Sequence, residues 1–296
     1  LTDAAIPPTT GNRIIDERMS DSEPTILLIS ANPKVRHLLR MRDNRARRRA
    51  GRIIVDGWRE TSQAVKAGLV MRGIYLPHGT PIRADEVADS DVHSVLTASS
   101  DRLQRHWVSE SLMHRISYGQ SPRGIVAEFE QPHQKLDDLS LPPKPLILIL
   151  DQIEKPGNVG AVFRCADAAG VDAVILCDNG CDAFNPNAIR ASLGAVFRVA
   201  SASAGQEHVA GFLINRGIRP LAARVQSSES LWSADLRSPL AIILGSEATG
   251  LSDRWTQLGQ HAIAGIRIPM FGQVDSLNVS ASAAVIAFEV ARQRHG

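Results

Sequence analysis

Cysteine is scarce in this chain of 296 residues: Cys165, Cys177 and Cys181 are the whole set. Three is an odd number, and their surroundings are apolar. That pattern excludes a disulfide framework and reads as reduced core thiols of a cytosolic protein. Cys177 and Cys181 are spaced like half of a metal site. No partner Cys or His pair lies near enough in sequence to complete the four ligands of a structural zinc, so no metal is expected. No apolar run reaches the roughly 18 residues of a membrane span. The first residues, LTDAAIPPTTGNRIIDERMSDSEP, lack the charged-then-apolar order of a signal peptide and read as a loose tail over 1–23. Internal repeats and low-complexity tracts are absent as well.

What remains is an ordinary globular balance, 44% hydrophobic and 22% charged, enough for one or two domains with a real core. The net charge of +2 hides an asymmetry: residues 1–144 hold 21 Lys and Arg against 18 Asp and Glu, residues 145–296 hold 12 against 13. Most of the excess lies between Lys34 and Arg52, where nine basic residues face only Asp43. A solvated helix face is one reading of such a run. Its richness in Arg over Lys favours phosphate contact, because guanidinium pairs bidentately with phosphate oxygens. Arg45, Arg47, Arg48 and Arg49 are therefore candidate contacts to nucleic-acid phosphate.

Residues 26–29 predict a short strand, followed by a basic helix and a strand over 52–56. A helix over 58–67 ends at Gly68. Strands over 73–76 and 92–97, a helix over 99–114 and a strand over 124–129 complete a small α/β domain spanning 24–130. The segment 131–145, QPHQKLDDLSLPPKP, is proline-rich and poor in apolar residues, the composition of a semi-rigid linker. The chain then restarts with LILIL, apolar on both faces as a covered parallel strand must be. A helix over 158–169 stopped by Gly170 and a strand over 171–177 make a βαβ unit. Asn185 followed by Pro186 is a cap and first-position proline for the next helix. A strand over 196–200, a helix over 208–215 and strands over 218–223, 240–245 and 266–270 follow. Last comes a helix in which Val279, Ala283, Ile286 and Val290 form one apolar stripe, capped by Ser276 or Asn278. The fold class is α/β, with a mainly parallel C-terminal sheet covered by helices on both sides over 146–296.

Ligands bind outside the carboxyl ends of parallel strands. Three such ends carry polar, glycine-bearing stretches: 151–164, 245–252 and 270–278. In the first, Val159, Val162, Phe163 and Ala166 take the buried stripe and leave Arg164 elsewhere, with Gly160 baring the surface beside it. A surface arginine paired with Asp167 or Asp172 is the plainer reading. In the second, Gly245 and Gly250 permit a tight loop around Glu247, itself readable as a solvated acid. No Gly-Lys-Ser/Thr follows, which excludes a P-loop, and no G-x-G-x-x-G follows a strand to support a Rossmann site.

Taken together, NVGAVFRCADAAG, LGSEATGLS and IPMFGQVDSLNVSASAA resemble, in order and distance, the three motifs of the SpoU (TrmH-like) RNA 2′-O-ribose methyltransferases of the SPOUT superfamily. The likeness spans 146–292. More loosely, the basic segment and SPRGIVAEFE resemble the ends of that family's RNA-binding domain, which has a fold like ribosomal protein L30e. The chain is similar to the ribosomal-RNA branch, which includes enzymes conferring resistance to thiostrepton- and avilamycin-type antibiotics.

The resemblance implies a deep trefoil knot, one of the rare exceptions to unknotted topology, and a cofactor, S-adenosylmethionine. It implies cofactor contacts at Gly245, Ile268 and Leu277, with Met270 and Ser276 lining the same pocket. It further implies that Asn158, Arg164, Glu247, Ser276 and Asn278 serve catalysis, with Arg164 as the catalytic arginine, and that Arg190 touches RNA phosphate. A homodimer follows from the same likeness, with the helices over 158–169 and 279–292 at its interface. The expected reaction is methylation of a ribose 2′-hydroxyl, with 23S ribosomal RNA as the expected substrate. A transfer-RNA enzyme and a catalytically inactive RNA-binding protein of the same fold are the alternatives. The segment 24–130 favours ribosomal RNA over the first, and the intact polar positions oppose the second.

Overall fold

The computed structural model describes residues 32–78, 103–119, 124–132, 135–178, 181–226, 229–246 and 250–296, with the backbone of 25–27. The expected tail over 1–23 and the expected strand over 92–97 lie outside the described residues. In the first part of the chain, β1 (Thr25–Leu27) precedes α1 (Pro33–Arg40), α2 (Asn44–Ala50), β2 (Arg52–Asp56) and α3 (Trp58–Lys66). β3 (Met71–Pro77), β4 (Gln104–Val108), α4 (Glu110–Ile116) and β5 (Val126–Glu130) follow. Their strands form one mixed sheet in the order β1-β4-β3-β5-β2. β1, β4 and β3 run parallel, while β5 is antiparallel to both β3 and β2.

The basic segment folds as two helices because it carries two caps. Asn32 accepts the Lys34 N–H at 2.9 Å ahead of Pro33, and Asp43 accepts the Ala46 N–H at 2.9 Å. The helix expected over 99–114 is corrected. Its middle is β4, and α4 begins only after Ser109, whose Oγ accepts the Leu112 N–H at 3.3 Å. His106 and Val108 are buried, while Arg105 and Trp107, which alternate with them, are only half-buried. That is a strand's period of two, and it is disguised because one inward position is a histidine.

Of the expected linker, residues 135–145 are packed down. This stretch contains a 3-10 turn, Leu136–Asp138, and buries Leu136 and Leu139 in the same cluster as Ile147, Ile149 and Val209. It has a linker's composition but behaves as a strap on the second sheet.

That sheet begins with β6 (Leu146–Asp151), α5 (Pro156–Ala169), β7 (Ala173–Cys177) and α6 (Pro186–Ser192). β8 (Ala200–Ala204), α7 (Gln206–Asn215), β9 (Arg219–Ala223), β10 (Glu229–Ser230) and β11 (Leu240–Leu244) continue it. A separate hairpin of β12 (Gln257–Leu258) and β13 (His261–Ala262) leads to β14 (Ala264–Arg267) and the last helix, α8 (Val279–His295). The order is β10-β14-β9-β11-β6-β7-β8, and every pairing is parallel.

β6 shows why its run is apolar throughout. Leu146, Leu148 and Leu150 share a core with α5, α6 and α8, while Ile147 and Ile149 share another with α7 and the strap. Burying each such side chain contributes about 1.5–3 kcal/mol before entropy is counted. The strand expected over 196–200 is displaced. Leu193 takes a left-handed conformation (φ 54°) and a 3-10 turn, Ala195–Phe197, follows, so β8 starts at Ala200. β14 is also shifted and ends at Arg267. Pro269 has no N–H to give a ladder, and residues 268–270 leave the sheet. No helix among the described residues is long and apolar enough to cross a membrane.

Candidate active site

Because the strands of the second sheet are parallel, their carboxyl ends and following loops meet on one side. The exits of β9, β11 and β14 open onto a cavity of about 390 Å³. Gly245 stands at the end of β11, Ile268 and Met270 just beyond β14, and Ser276 and Leu277 on the approach to α8. All five positions expected around the cofactor thus share one cavity.

Gly245 is there for a steric reason. A Cβ at this position would sit 2.3 Å from the Leu251 nitrogen and 2.4 Å from the Gly250 carbonyl. Gly250 donates its N–H to the Ser246 carbonyl at 2.8 Å, folding the loop back onto the glycine. Glu247 lies outside the described residues.

α8 forms the opposite wall. Asn278, not Ser276, is its cap: the Asn278 Oδ1 accepts the Ala281 N–H at 3.0 Å and the Ser280 hydroxyl at 2.7 Å. Ser276 instead donates its hydroxyl to Asp275 Oδ1 at 3.1 Å. The stripe Val279, Ala283, Ile286 and Val290 is buried as its spacing requires. α8 packs on α5, where the Cys165 thiol lies 3.8 Å from the Ser280 carbonyl.

Arg164 is the neighbour of that contact. Its side chain is exposed and, among the described residues, its guanidinium makes no ion pair or hydrogen bond. Both acids that could have paired it are engaged. Asp167 receives Arg198 at 2.6 and 3.1 Å, and Asp172 accepts the Leu146 N–H at 2.7 Å. Arg164 and Asn158 do not line the cavity; both belong to α5 beside its α8 wall.

Two local expectations on α5 are corrected. The helix expected over 158–169 begins at Pro156 with Lys155 as its cap residue, so Asn158 sits in its first turn. The space at Gly160 is filled: a Cβ there would meet the Ala188 carbonyl at 2.3 Å and the Ala191 Cβ at 2.7 Å. Gly160 is the place where α5 and α6 touch backbone to backbone.

The basic candidates divide. Arg45, Arg48 and Arg49 are exposed on α2. Arg47 is 1% exposed, donates to the carbonyls of Met41 and Arg42 at 2.8 and 2.9 Å, and pairs with buried Asp182. Arg190 pairs with buried Asp56 at 3.2 Å and donates to the Tyr118 carbonyl. For Arg47 and Arg190 the expectation of phosphate contact is corrected. Each guanidinium is committed to a carboxylate of the other sheet's unit.

Sequence reasoning missed Arg224, which lines the cavity and donates to the carbonyls of Leu251 and Ser252 at 3.1 and 3.0 Å. The strand-end rule applied to β9 would have found it. Asp151 was also missed. Buried at the end of β6, it receives Arg254, whose other nitrogen binds Asp178 at 2.6 Å. Burial pushes the Cys177 and Cys181 thiols up to about 12, which keeps them protonated at neutral pH.

Residues 145–288 match the SpoU rRNA Methylase family, and residues 32–127 match the MRM3-like substrate binding domain. The 23S rRNA (guanosine(2553)-2′-O)-methyltransferase RlmP of Bacillus subtilis is 24% identical over 259 residues, covering 88% of this chain and 96% of the relative. A crystal structure of an RNA 2′-O ribose methyltransferase is 33% identical, covers 91% of this chain and 99% of its own, and superposes with a TM-score of 0.76. The SpoU methyltransferase AviRb from Streptomyces viridochromogenes, in complex with AdoMet, has the same fold. Its TM-score is 0.79 at 24% identity, over 88% of this chain and 98% of that one.

Proposed function

Since the chain belongs to the SpoU rRNA methylase family, we propose that it methylates a ribose 2′-hydroxyl of 23S ribosomal RNA, with S-adenosylmethionine as donor. The observation that carries this reading is the cavity gathering Gly245, Ile268, Met270, Ser276 and Leu277. Its residues fit the donor. At about 390 Å³ it falls within the roughly 300–1,000 Å³ of small-ligand pockets. Leu244, Ile266 and Ile286 offer an apolar bed for an adenine ring, and the backbone around Gly245 offers hydrogen bonds to its polar edge. The 23S assignment follows the name of the Bacillus subtilis relative, and the N-terminal match to a substrate binding domain supports ribosomal over transfer RNA.

The donor, when bound, supplies an electrophilic methyl group on a cationic sulfur. The chain must make a weak nucleophile effective, because a ribose hydroxyl stays protonated near pH 7. Arg164 suits this role, being exposed, free of carboxylate partners among the described residues, and set beside the α8 wall of the cavity. A guanidinium carries five N–H donors and no acceptor, so Arg164 is not the base. It orients the 2′-oxygen and stabilises the negative charge growing there, while the hydroxyl proton passes to solvent water. Asn278 holds the start of α8, and with it Ser276 and Leu277, in place. Asn158, on the first turn of α5, adds a polar side chain on the helix that carries Arg164.

We extend the proposal to the chain's topology and assembly. Leu244, Gly245, Gly250 and Leu251 line the cavity from one strand end, and Ile268, Met270, Ser276 and Leu277 from another, as the crossing of a trefoil knot would require. Phe271 and Val274 are 91% and 63% exposed and Phe288 on α8 is 50% exposed, an apolar surface suited to a second copy of the chain. Cytoplasmic location follows from a ribosomal substrate.

The test is Arg164→Ala, assayed for methyl incorporation into 23S RNA and titrated with S-adenosylmethionine. The expected outcome is a rate loss of about a hundredfold or more, typical of a lost charge-stabilising donor, with cofactor affinity retained. Retained activity, or loss of cofactor binding, would remove Arg164 from this role.

A further inference from the structure

A second cleft, of about 610 Å³, lies between the two units and shares no lining residue with the cofactor cavity. Arg42, His114, Arg115 and Tyr118 contribute to one wall, and Asn185 and Asn187 to the other. No Asp or Glu is among its described lining residues.

Arg42 is already fixed. One of its terminal nitrogens donates to the carbonyls of Arg115 and Ser117 at 2.8 and 3.0 Å, and its guanidinium lies 5.1 Å from the centre of the Tyr118 ring. Two carbonyls and an aromatic face orient this cation without neutralising it. Across the cleft, Asn185 uses its Oδ1 to cap α6 through the Asn187 N–H at 2.9 Å. Its amide N–H groups remain donors.

The walls are held at a set separation. Arg47 of the first unit pairs with Asp182 of the second, and Arg190 of the second pairs with Asp56 of the first. Asp56 also accepts the Tyr118 N–H at 2.8 Å, so the crossed pair ends at the cleft itself. One core runs beneath both units, joining Ile53 and Val55 to Ile189 and Val196. The Asn185 wall is also coupled to the proposed active site. It begins α6, which meets α5 backbone to backbone at Gly160, one turn before Arg164.

Resting on the RNA methylation reading, we infer that this cleft seats a stretch of RNA sugar–phosphate backbone separate from the acceptor ribose. Guanidinium and imidazole donors meet the phosphates, and the Asn185 and Asn187 amides meet ribose oxygens. Because its walls are fixed to each other and to α5, RNA held there determines which ribose reaches Arg164.

The test is binding of a 23S RNA transcript at graded potassium chloride by the intact protein and by His114→Gln/Arg115→Gln. The double variant is expected to bind about tenfold more weakly near physiological salt. Its salt slope is expected to be shallower by about one to two, since each lost phosphate contact removes about 0.7–0.9. In methyl transfer KM should rise with kcat held, and S-adenosylmethionine affinity should not change. Lys144→Gln removes one formal charge, as the cleft variant does, but outside the cleft, and should move neither slope nor KM. Unchanged slope and KM in the cleft variant, or equal losses in the control, overturn the inference. Should the double variant fold poorly, Asn187→Asp places a carboxylate in the cleft, and undiminished RNA binding by it also overturns the inference. RNA that binds with the expected cleft dependence but is never methylated refutes the catalytic reading alone.

Discussion

Arg47 and Arg164 are both helical arginines, one sealed between two units at 1% exposure and the other facing solvent. In sequence Arg47 is indistinguishable from its neighbours Arg45, Arg48 and Arg49. What separates it is Asp182, 135 residues away, a partner that no local pattern can reveal. Arg164 was legible because the apolar stripe of α5 excludes it from the core. Gly245 was legible only in part: its spacing signals a turn, but the backbone laid against its Cα is a tertiary fact. Gly245→Ala should therefore weaken S-adenosylmethionine binding about tenfold to a hundredfold. That matches an overpacking cost of about 1–3 kcal/mol displaced into the loop. Calorimetric titration decides it, and unchanged affinity would mean the loop's tight fold does not serve the cofactor.

Among elements, those with a single strong signal were read closely. β2 matches its expected bounds, and β6 exceeds its apolar run only by Asp151. β4 was hidden because its sheet-facing residues include a histidine, and β8 because ASASA offers no apolar run. α8 was legible as a helix from its cap and stripe, but its acid chemistry was not. The Glu289 carboxyl, buried on this helix, is drawn down to about 2 by hydrogen bonds from Arg292 and then Gln293, against the opposing effect of burial. A depressed carboxylate stabilises the fold above its unfolded value and loses that contribution as pH falls through its folded value. The Glu289 contribution should thus be complete above about pH 4.5 and vanish towards pH 2. Urea unfolding from pH 6 to pH 2 should show Glu289→Gln losing less stability than the parent across that window. Parallel pH curves would refute the assignment.

For the whole molecule, two sheets share one core and two crossed ion pairs. Removing one partner of a buried pair strands the other, at about 3–5 kcal/mol. Asp182→Ala should lower unfolding free energy by about that amount, and adding Arg47→Met should recover part of it. A loss below about 1 kcal/mol would show that Arg47 reaches water in solution. The presence of two separate sheets was legible in the sequence, from strands predicted on either side of the proline-rich segment. The fixed docking of the units was not, because it depends on pairs far apart in the chain. The central claim is that this docked molecule transfers a methyl group to a ribose of ribosomal RNA. The most direct measurement is mapping of 2′-O-methylated nucleotides in unmodified 23S RNA after incubation with the protein and S-adenosylmethionine. One new 2′-O-methyl site is expected, absent with Arg164→Ala. No new site, or a methyl group on a base instead of a ribose, would contradict it.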